Sequence, residues 1–401
     1  MIERGFGHQV RSRLIFGFGL SLGLACQSTP LSGSLPPTDA PSGAGVPCPA
    51  SRTRCGAVCA DEATDPQNCG GCGLACDQCT NGRCIRVLAS GQPHPDALAV
   101  TSSEVVWANT GVATDDYKLQ GAAILKVPIG GGAPETLAQS DTDSWSLAID
   151  SGYVYWARSN TRADMSTDGA IMKTPMTGGA TTTLASASWP NDVGVSGGVV
   201  YWTDERGVMS VPASGGSAVV FAPGGGALTL AAGHAYWLAG DADTQSFRTR
   251  ELAPGADEVT LLTWKPFQAS GPWGTVFKLA ASTSDLYWTA SAGGTNGSWL
   301  MKVSLSGGTP SPIDNADTDI AVTTDADSVY WANQYWAEQG VSSAGITSMQ
   351  LRFRILKAPL AGGPPITLAP SVGEVHSLVV DGTSVYFSDP SGGTVVKVTP
   401  K

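Results

Sequence analysis

No cysteine follows residue 84 in a chain of 401 residues. The long remainder therefore has neither disulfides nor thiolate metal ligands to hold it, and must fold on a core of its own. Histidine occurs only at His8, His94, His234 and His376, and no HExxH or P-loop pattern exists. Zinc-peptidase and phosphate-cradle chemistries thus lose their usual carriers. The Gly17-x-Gly19-x-x-x-Gly23 run lies in an export-type segment and has no phosphate meaning. Charge is scarce as well: 14% of residues are charged, and acids outnumber bases 34 to 23, for a net charge of −11. A surface of that sign repels nucleic acid and anionic lipid faces, so neither is an expected partner. Long apolar runs are missing too, because Leu14–Ala25 is too short to span a bilayer.

What is abundant is Gly, at 50 residues, and Pro, at 26, beside 42% hydrophobic residues. That mixture describes a turn-rich β protein with enough apolar material for a large core. Residues 1–25 place Arg4, Arg11 and Arg13 ahead of the apolar stretch, the layout of a removable signal peptide. Its loss, with Glu3, takes the net charge to about −13. Leu22-Gly23-Leu24-Ala25-Cys26 resembles a bacterial lipobox, which implies lipidation at Cys26. Gly23 stands where that motif prefers Leu, and plain signal-peptidase cleavage with a free Cys26 is the alternative. Setting Cys26 aside leaves eight Cys, an even number that can pair fully in an oxidising compartment. Gln27 resembles the outer-membrane sorting pattern, so a cell-envelope location is expected, with a secreted or periplasmic form as the other outcome. Residues 26–47 are rich in Pro, Ser and Gly and read as a flexible tether.

Residues 48–84 carry Cys48, Cys55, Cys59, Cys69, Cys72, Cys76, Cys79 and Cys84 with few bulky apolar neighbours. Such a segment needs covalent staples, and four disulfides are expected. Zinc is the competing reading, since Cys69-x-x-Cys72 and Cys76-x-x-Cys79 look like knuckles. Only three residues separate them, whereas a ribbon-type site needs roughly 15–20. The spacing does not fix which Cys pairs with which. Asn68-Cys69-Gly70-Gly71-Cys72-Gly73 resembles Cys-rich modules of myxobacterial-type surface proteins.

From residue 85 a pattern repeats seven times. Its centre is an apolar triplet: Val105-Val106-Trp107, Val154-Tyr155-Trp156, Val200-Tyr201-Trp202, Ala235-Tyr236-Trp237, Leu286-Tyr287-Trp288, Val329-Tyr330-Trp331 and Val385-Tyr386-Phe387. Unbroken apolar character in a strand means burial on both faces, which stacked sheets provide in a β-propeller. The preceding strands, such as Ala97-Leu98-Ala99-Val100, are slim, as an innermost strand near the axis requires. The third strands end at Gly-Gly pairs that suit tight hairpins, except in repeat four, where Ala253-Pro254-Gly255 stands. Repeat seven has no room for a fourth strand before Lys401, while Ile85–Ser90 reads like Glu135–Ser140 and Ile366–Pro370. The expected fold is all-β: a seven-bladed propeller over 85–401 closed by its own N-terminal strand, with the disulfide-rich module in front.

Tyr201-Trp202-Thr203-Asp204 spells the signature of YWTD propellers, and Tyr287-Trp288-Thr289 nearly does. The repeat as a whole resembles YWTD-type and TolB-like propellers of extracytoplasmic proteins. The resemblance implies a non-catalytic, protein-binding scaffold. YWTD propellers have six blades where seven are counted here, so their binding sites are not carried over.

Loop length selects the working face. First-to-second turns and Gly-Gly hairpins are brief, whereas 109–121, 158–169, 238–246, 289–298 and above all 332–354 are long and emerge on one side, joined there by 265–273. The insertion of repeat six puts Tyr335-Trp336 on its rising side and Arg352-Phe353-Arg354 on its falling side, types enriched at interface hot spots. Phe247-Arg248 echoes it in repeat four. The bland reading is that these side chains cover the edge of their own propeller. Asp96, Trp145, Asn191 and His376, with Ala227, Val276 and Thr318, precede the inner strands and are expected around the channel mouth.

Two functions compete. One is an envelope lipoprotein that binds a protein or glycan on the loop face without catalysis. The other is a lactonase- or lyase-type enzyme with a channel-mouth metal near Asp96, Asn191 and His376. No cofactor is required by the first reading. Asp141-x-Asp143, Asp241-x-Asp243 and Asp317-x-Asp319 offer oxygen ligands for Ca²⁺, but none continues into a calcium loop, and turns are the simpler reading. His94 and His376 are expected to approach each other where the ring closes, as a polar pair or, less simply, with one as a base.

Overall fold

The computed structural model describes residues 47–114, 119–140, 142–159, 168–241, 243–265, 276–291, 298–316, 321–341 and 347–401. The signal, Cys26 and residues 26–46 of the tether lie outside them. Pro47–Lys401 forms one compact unit.

Seven antiparallel sheets make the blades; the first six run from an inner to an outer strand in sequence order, and the seventh takes its outer strand from the N-terminal side of the ring. Blade one, for instance, is built from Pro95–Val100, Glu104–Asn109, Ala123–Pro128 and Glu135–Gln139. The inner strands touch their neighbours all the way round, and Leu378–Val380 of blade seven reaches Pro95–Val100 of blade one. Slim residues make that approach feasible. A Cβ on Gly194 would sit 2.7 Å from Leu230 on the next inner strand.

The aromatic triplets fill the seams between sheets. Trp107, Trp156, Trp202, Trp237, Trp288, Trp331 and Phe387 are all buried. Several indoles are also satisfied: Trp107 Nε1 donates to Asn109 Oδ1 at 3.1 Å, Trp202 to Asp204 Oδ2 at 3.0 Å, and Trp331 to Asp314 Oδ2 at 2.8 Å. A buried aromatic of this size supplies most of each seam's hydrophobic stabilisation. Cations on third strands tie neighbouring blades as well, as where Lys173 Nζ donates to Ala213 O at 2.7 Å and Lys397 Nζ to Ile129 O at 3.1 Å.

One regularity was not anticipated. Every outer strand carries an irregularity against its third strand, and the residue skipped is always large and apolar: Leu137, Leu184, Phe221, Leu261, Ile313, Leu368 and, in the closing strand, Leu88. A bulge bends and twists the strand locally, which suits the splayed rim of a blade. At the third-to-outer turns, Gly131, Gly178, Gly215, Gly307 and Gly362 donate their N–H to the residue three earlier, and the positive φ of both members of each Gly-Gly pair makes that turn accessible.

Ring closure follows the expected route. Arg83–Ala89 pairs antiparallel with Thr394–Thr399, so the first propeller strand completes the last blade. Gln78–Thr80 extends this sheet to five strands, and Arg86 Nη1 donates to Gly130 O of blade one at 3.2 Å.

The Cys-rich segment departs from full pairing. Disulfides join Cys48 to Cys59, Cys55 to Cys72 and Cys69 to Cys79. Cys76 and Cys84 are buried thiols. Burial, then the hydrogen bond with Cys76, pushes the Cys84 thiol up to about 12, which keeps it protonated. The expectation of four disulfides is corrected to three because this last pair remains a hydrogen-bonded dithiol.

Candidate functional site

The long insertion of blade six is an extension of its sheet. Ser328–Val341 and Thr347–Pro359 pair continuously, while the neighbouring inner strand spans only Val322–Thr324 and the outer strand pairs no further than Phe353↔Val372. Beyond that point the hairpin stands alone. Strand alternation then splits its side chains between two faces, so Tyr335 and Trp336 cannot share one.

Trp336 is 56% exposed, and Leu351, its cross-strand partner, 37%. The adjacent face points home. Tyr335 is half-buried and its hydroxyl donates to Pro370 O at 2.7 Å, with the Arg354 guanidinium 5.4 Å from its ring centre. Arg352, on the Tyr335 face, donates to Gln350 Oε1 at 2.5 Å, while Phe353 lies on the Trp336 face but two residues nearer the blade, half-buried against the core shared by blades six and seven. Of the arm residues singled out, Trp336 alone is mostly open; Leu351, which sequence reasoning passed over, completes the exposed pair. The signal that finds Leu351 is the pairing register.

Blade four does not echo the arm. Phe247 is fully buried, its ring 4.8 Å from both Trp264 and Trp288, because it faces the seam with blade five. Arg248 pairs with Glu258 at 2.5 Å on the same sheet. This correction removes Phe247 from the surface.

Asp96, Trp145, Asn191 and His376 do meet: together with Phe277, Lys278, Ala321 and Val375 they line one cavity of about 260 Å³. Ala227 and Val276 are not among its lining, and Thr318 lies outside the described residues. His376 is clamped, with Nδ1 3.3 Å from Asp96 Oδ2 and Nε2 3.0 Å from Glu374 Oε1. The Asp96 hydrogen bond, opposed by burial and reinforced by Glu374, raises its pKa to about 9. The imidazolium present at neutral pH has no lone pair to accept a proton, which disfavours a general base. His94 lies edge-on at 6.0 Å, as the closure of the ring implies.

Two groups of Cys and Glu atoms cluster among the described residues, Cys69, Cys76 and Cys79, and Cys55, Glu62 and Cys72, but the Cys69–Cys79 and Cys55–Cys72 disulfides leave neither with the thiolates a metal needs. The channel mouth shows no such group among them. Asp241 Oδ1 accepts the N–H groups of Asp243 and Thr244 at 2.9 Å each, the geometry of a turn. Asp141, Asp317 and Asp319 lie outside the described residues.

Two larger clefts flank this cavity's blades. One, of about 700 Å³, opens at the foot of the arm between Gln334, Phe353, Glu374, His376 and Asp389. The other, of about 730 Å³, is lined by the first-to-second turns of blades six and seven. There Tyr330 donates to Asp325 at 2.8 Å and Tyr386 to Asp381 at 2.6 Å, a repeated Asp–Tyr device, and Lys401 Nζ reaches Asp325 at 2.5 Å.

No protein-family model matches the chain, and no curated protein matches it either. Solved structures do. The β-propeller domain of the trilobed protease from Pyrococcus furiosus, described as having an open velcro topology, matches at 10% identity and TM-score 0.51, covering 76% of this chain and 95% of that one. BamB from Moraxella catarrhalis matches at 15% identity and TM-score 0.43, over 79% and 100% of the two chains. TolB from Acinetobacter baumannii matches at 9% identity and TM-score 0.40, over 75% and 64%. The first of these likenesses supports the propeller fold and nothing about activity.

Proposed function

We propose that this chain is an envelope lipoprotein, exported by residues 1–25 and anchored through lipid on Cys26, whose propeller binds a partner protein on the loop face without catalysing a reaction. The observation that carries this reading is the exposed Trp336–Leu351 pair on an arm that outruns its sheet. A hairpin standing clear of its sheet gains little for its own fold from an open Trp, whereas a partner that covers it gains a hot spot. The acidic net charge turns the partner's chemistry away from nucleic acid.

The test pairs wild type with a Trp336→Ala/Leu351→Ser variant in capture from solubilised envelope, followed by reconstitution with the purified captured protein. The variant is expected to melt like wild type and to lose the partner. Equal capture by both overturns the reading. Cys26→Ser separately tests the anchor by abolishing metabolic labelling with palmitate.

A further inference from the structure

The cleft at the foot of the arm contains two groups that the fold leaves wanting. Gln334 is 5% exposed, and its Oε1 is a buried acceptor with no hydrogen-bond partner. An unmet buried acceptor is costly, and a native protein retains one where something else completes it. Asp389 is 9% exposed and accepts from Gly392 N–H at 2.8 Å. Among the described residues it has no ion-pair partner. Its carboxylate occupies space that side chains at two neighbours would take, since a Cβ on Gly373 or Gly392 would overlap it.

The cations nearby are already committed. Both ring nitrogens of His376 face carboxylates, Asp96 and Glu374, and Arg352 is turned to Gln350. Glu374 is likewise engaged, accepting from Ser391 Oγ. Burial holds the Asp389 pKa above its ordinary value, helped by the Glu374 charge and opposed by the Gly392 and Glu374 N–H groups and the His376 charge, so the carboxylate is still under-compensated for its burial. Hydrocarbon lines the cleft beside Gln334, supplied by Leu351, by the cross-strand partner of Gln334, Phe353, and by Val372.

We infer that this cleft receives an arginine side chain of the partner protein, its stem against Leu351, Phe353 and Val372 and its guanidinium shared between the Asp389 carboxylate and Gln334 Oε1. Arginine suits the cleft because it joins an apolar stem to a planar head with five donors, enough to serve a carboxylate and an amide oxygen together. The inference rests on the loop-face reading and names what that face recognises.

The probe is the blocked peptide acetyl-Gly-Arg-Gly-amide, titrated calorimetrically into the full chain, beside its citrulline counterpart, which keeps the shape and loses the charge. Saturable binding with Kd of about 1 mM is expected for arginine, typical of one anchored side chain. Citrulline should bind at least about 10-fold more weakly. Asp389→Asn should weaken arginine binding to the same degree and Gln334→Leu by at least about 5-fold. Trp336→Ala should leave this binding unchanged, because Trp336 does not line the cleft, which separates the cleft from the exposed arm Trp. Equal affinity for citrulline, or unchanged arginine binding in a natively folded Gln334→Leu or Asp389→Asn protein, overturns the assignment. If the peptide fails while the arm variant still loses the captured partner, the loop-face reading stands and only the arginine assignment falls.

Discussion

Leu88→Ala is the substitution that most directly probes closure of the ring. Leu88 is 4% exposed and sits at the bulge of the closing strand, in the cluster that joins Leu98 and Trp107 of blade one to Tyr386 and Val395 of blade seven. Truncating a buried Leu costs about 2–5 kcal/mol, depending on how far the surroundings collapse. Two packed sheets meet here and cannot easily move together, which puts the expected loss at about 3–4 kcal/mol. For a propeller spanning residues 85–401 that corresponds to a fall in Tm of roughly 4–6 °C. Val87 precedes it and is 42% exposed, so Val87→Ala should cost under about 1 kcal/mol. Leu368 occupies the same position in blade six at 1% exposure and serves as the internal reference. Urea unfolding followed by circular dichroism, with disulfides intact, measures all three. If Leu88→Ala costs less than half of Leu368→Ala, or no more than Val87→Ala, residues 83–89 do not complete blade seven in solution.

The two arm-strand tryptophans should diverge: Trp331→Ala is expected to lose about 3–5 kcal/mol and Trp336→Ala to stay within about 0.5 kcal/mol in the same assay. Similar losses for both would refute the assignment of Trp336 to the surface. His376 has a folded pKa of about 9, above its ordinary 6.5, so its contribution is complete below about pH 6.5 and disappears as pH rises through about 9. Melting curves at pH 6 and pH 10 should show a fall that His376→Gln reduces; the effect is modest because the side chain is 35% exposed. An unreduced fall would mean that the Asp96–His376–Glu374 array is not charged as described. Alkylation of a form starting at Gln27 should label no cysteine while folded and two, Cys76 and Cys84, after denaturation. Zero labelling after denaturation would reveal a fourth disulfide.

The wheel was readable because its signal is periodic. Seven Val-Tyr-Trp-like triplets, slim inner strands and Gly-Gly turns each encode a position in a blade, and the closing strand shares its wording with other outer strands. The arm was half readable. Its length announced an extension, but aromatic composition alone treated Tyr335, Trp336 and Phe353 as equivalent, when alternation turns Tyr335 to the other face and position separates the rest, Phe353 sitting low against the blade and Trp336 beyond it. Phe247 misled for the same reason: a Phe flanked by Arg looks exposed until the Trp264 and Trp288 rings close over it. Asp389, Gln334 and Glu374 gave no signal, because their meeting depends on blades six and seven being adjacent and on two glycines leaving space. The convergence of Asp96 with His376 was legible from their shared place before inner strands, while the charge on the imidazole was not, since Glu374 enters from the same loop.

The closing ladder unites residues near 85 with residues near 398. During synthesis the N-terminal member exists long before its partner, so six blades can form while Arg83–Ala89 waits with its peptide groups unpaired. Such an edge is an open template for any other extended chain, and it persists until the last few residues are made. Completion therefore depends on a contact of maximal sequence separation, which makes it a late and entropically demanding event. Loss of a handful of C-terminal residues would remove the closing strand and leave Arg83–Ala89 and Val385–Asp389 each with an unpaired edge, a gap that an extended segment of another molecule could enter.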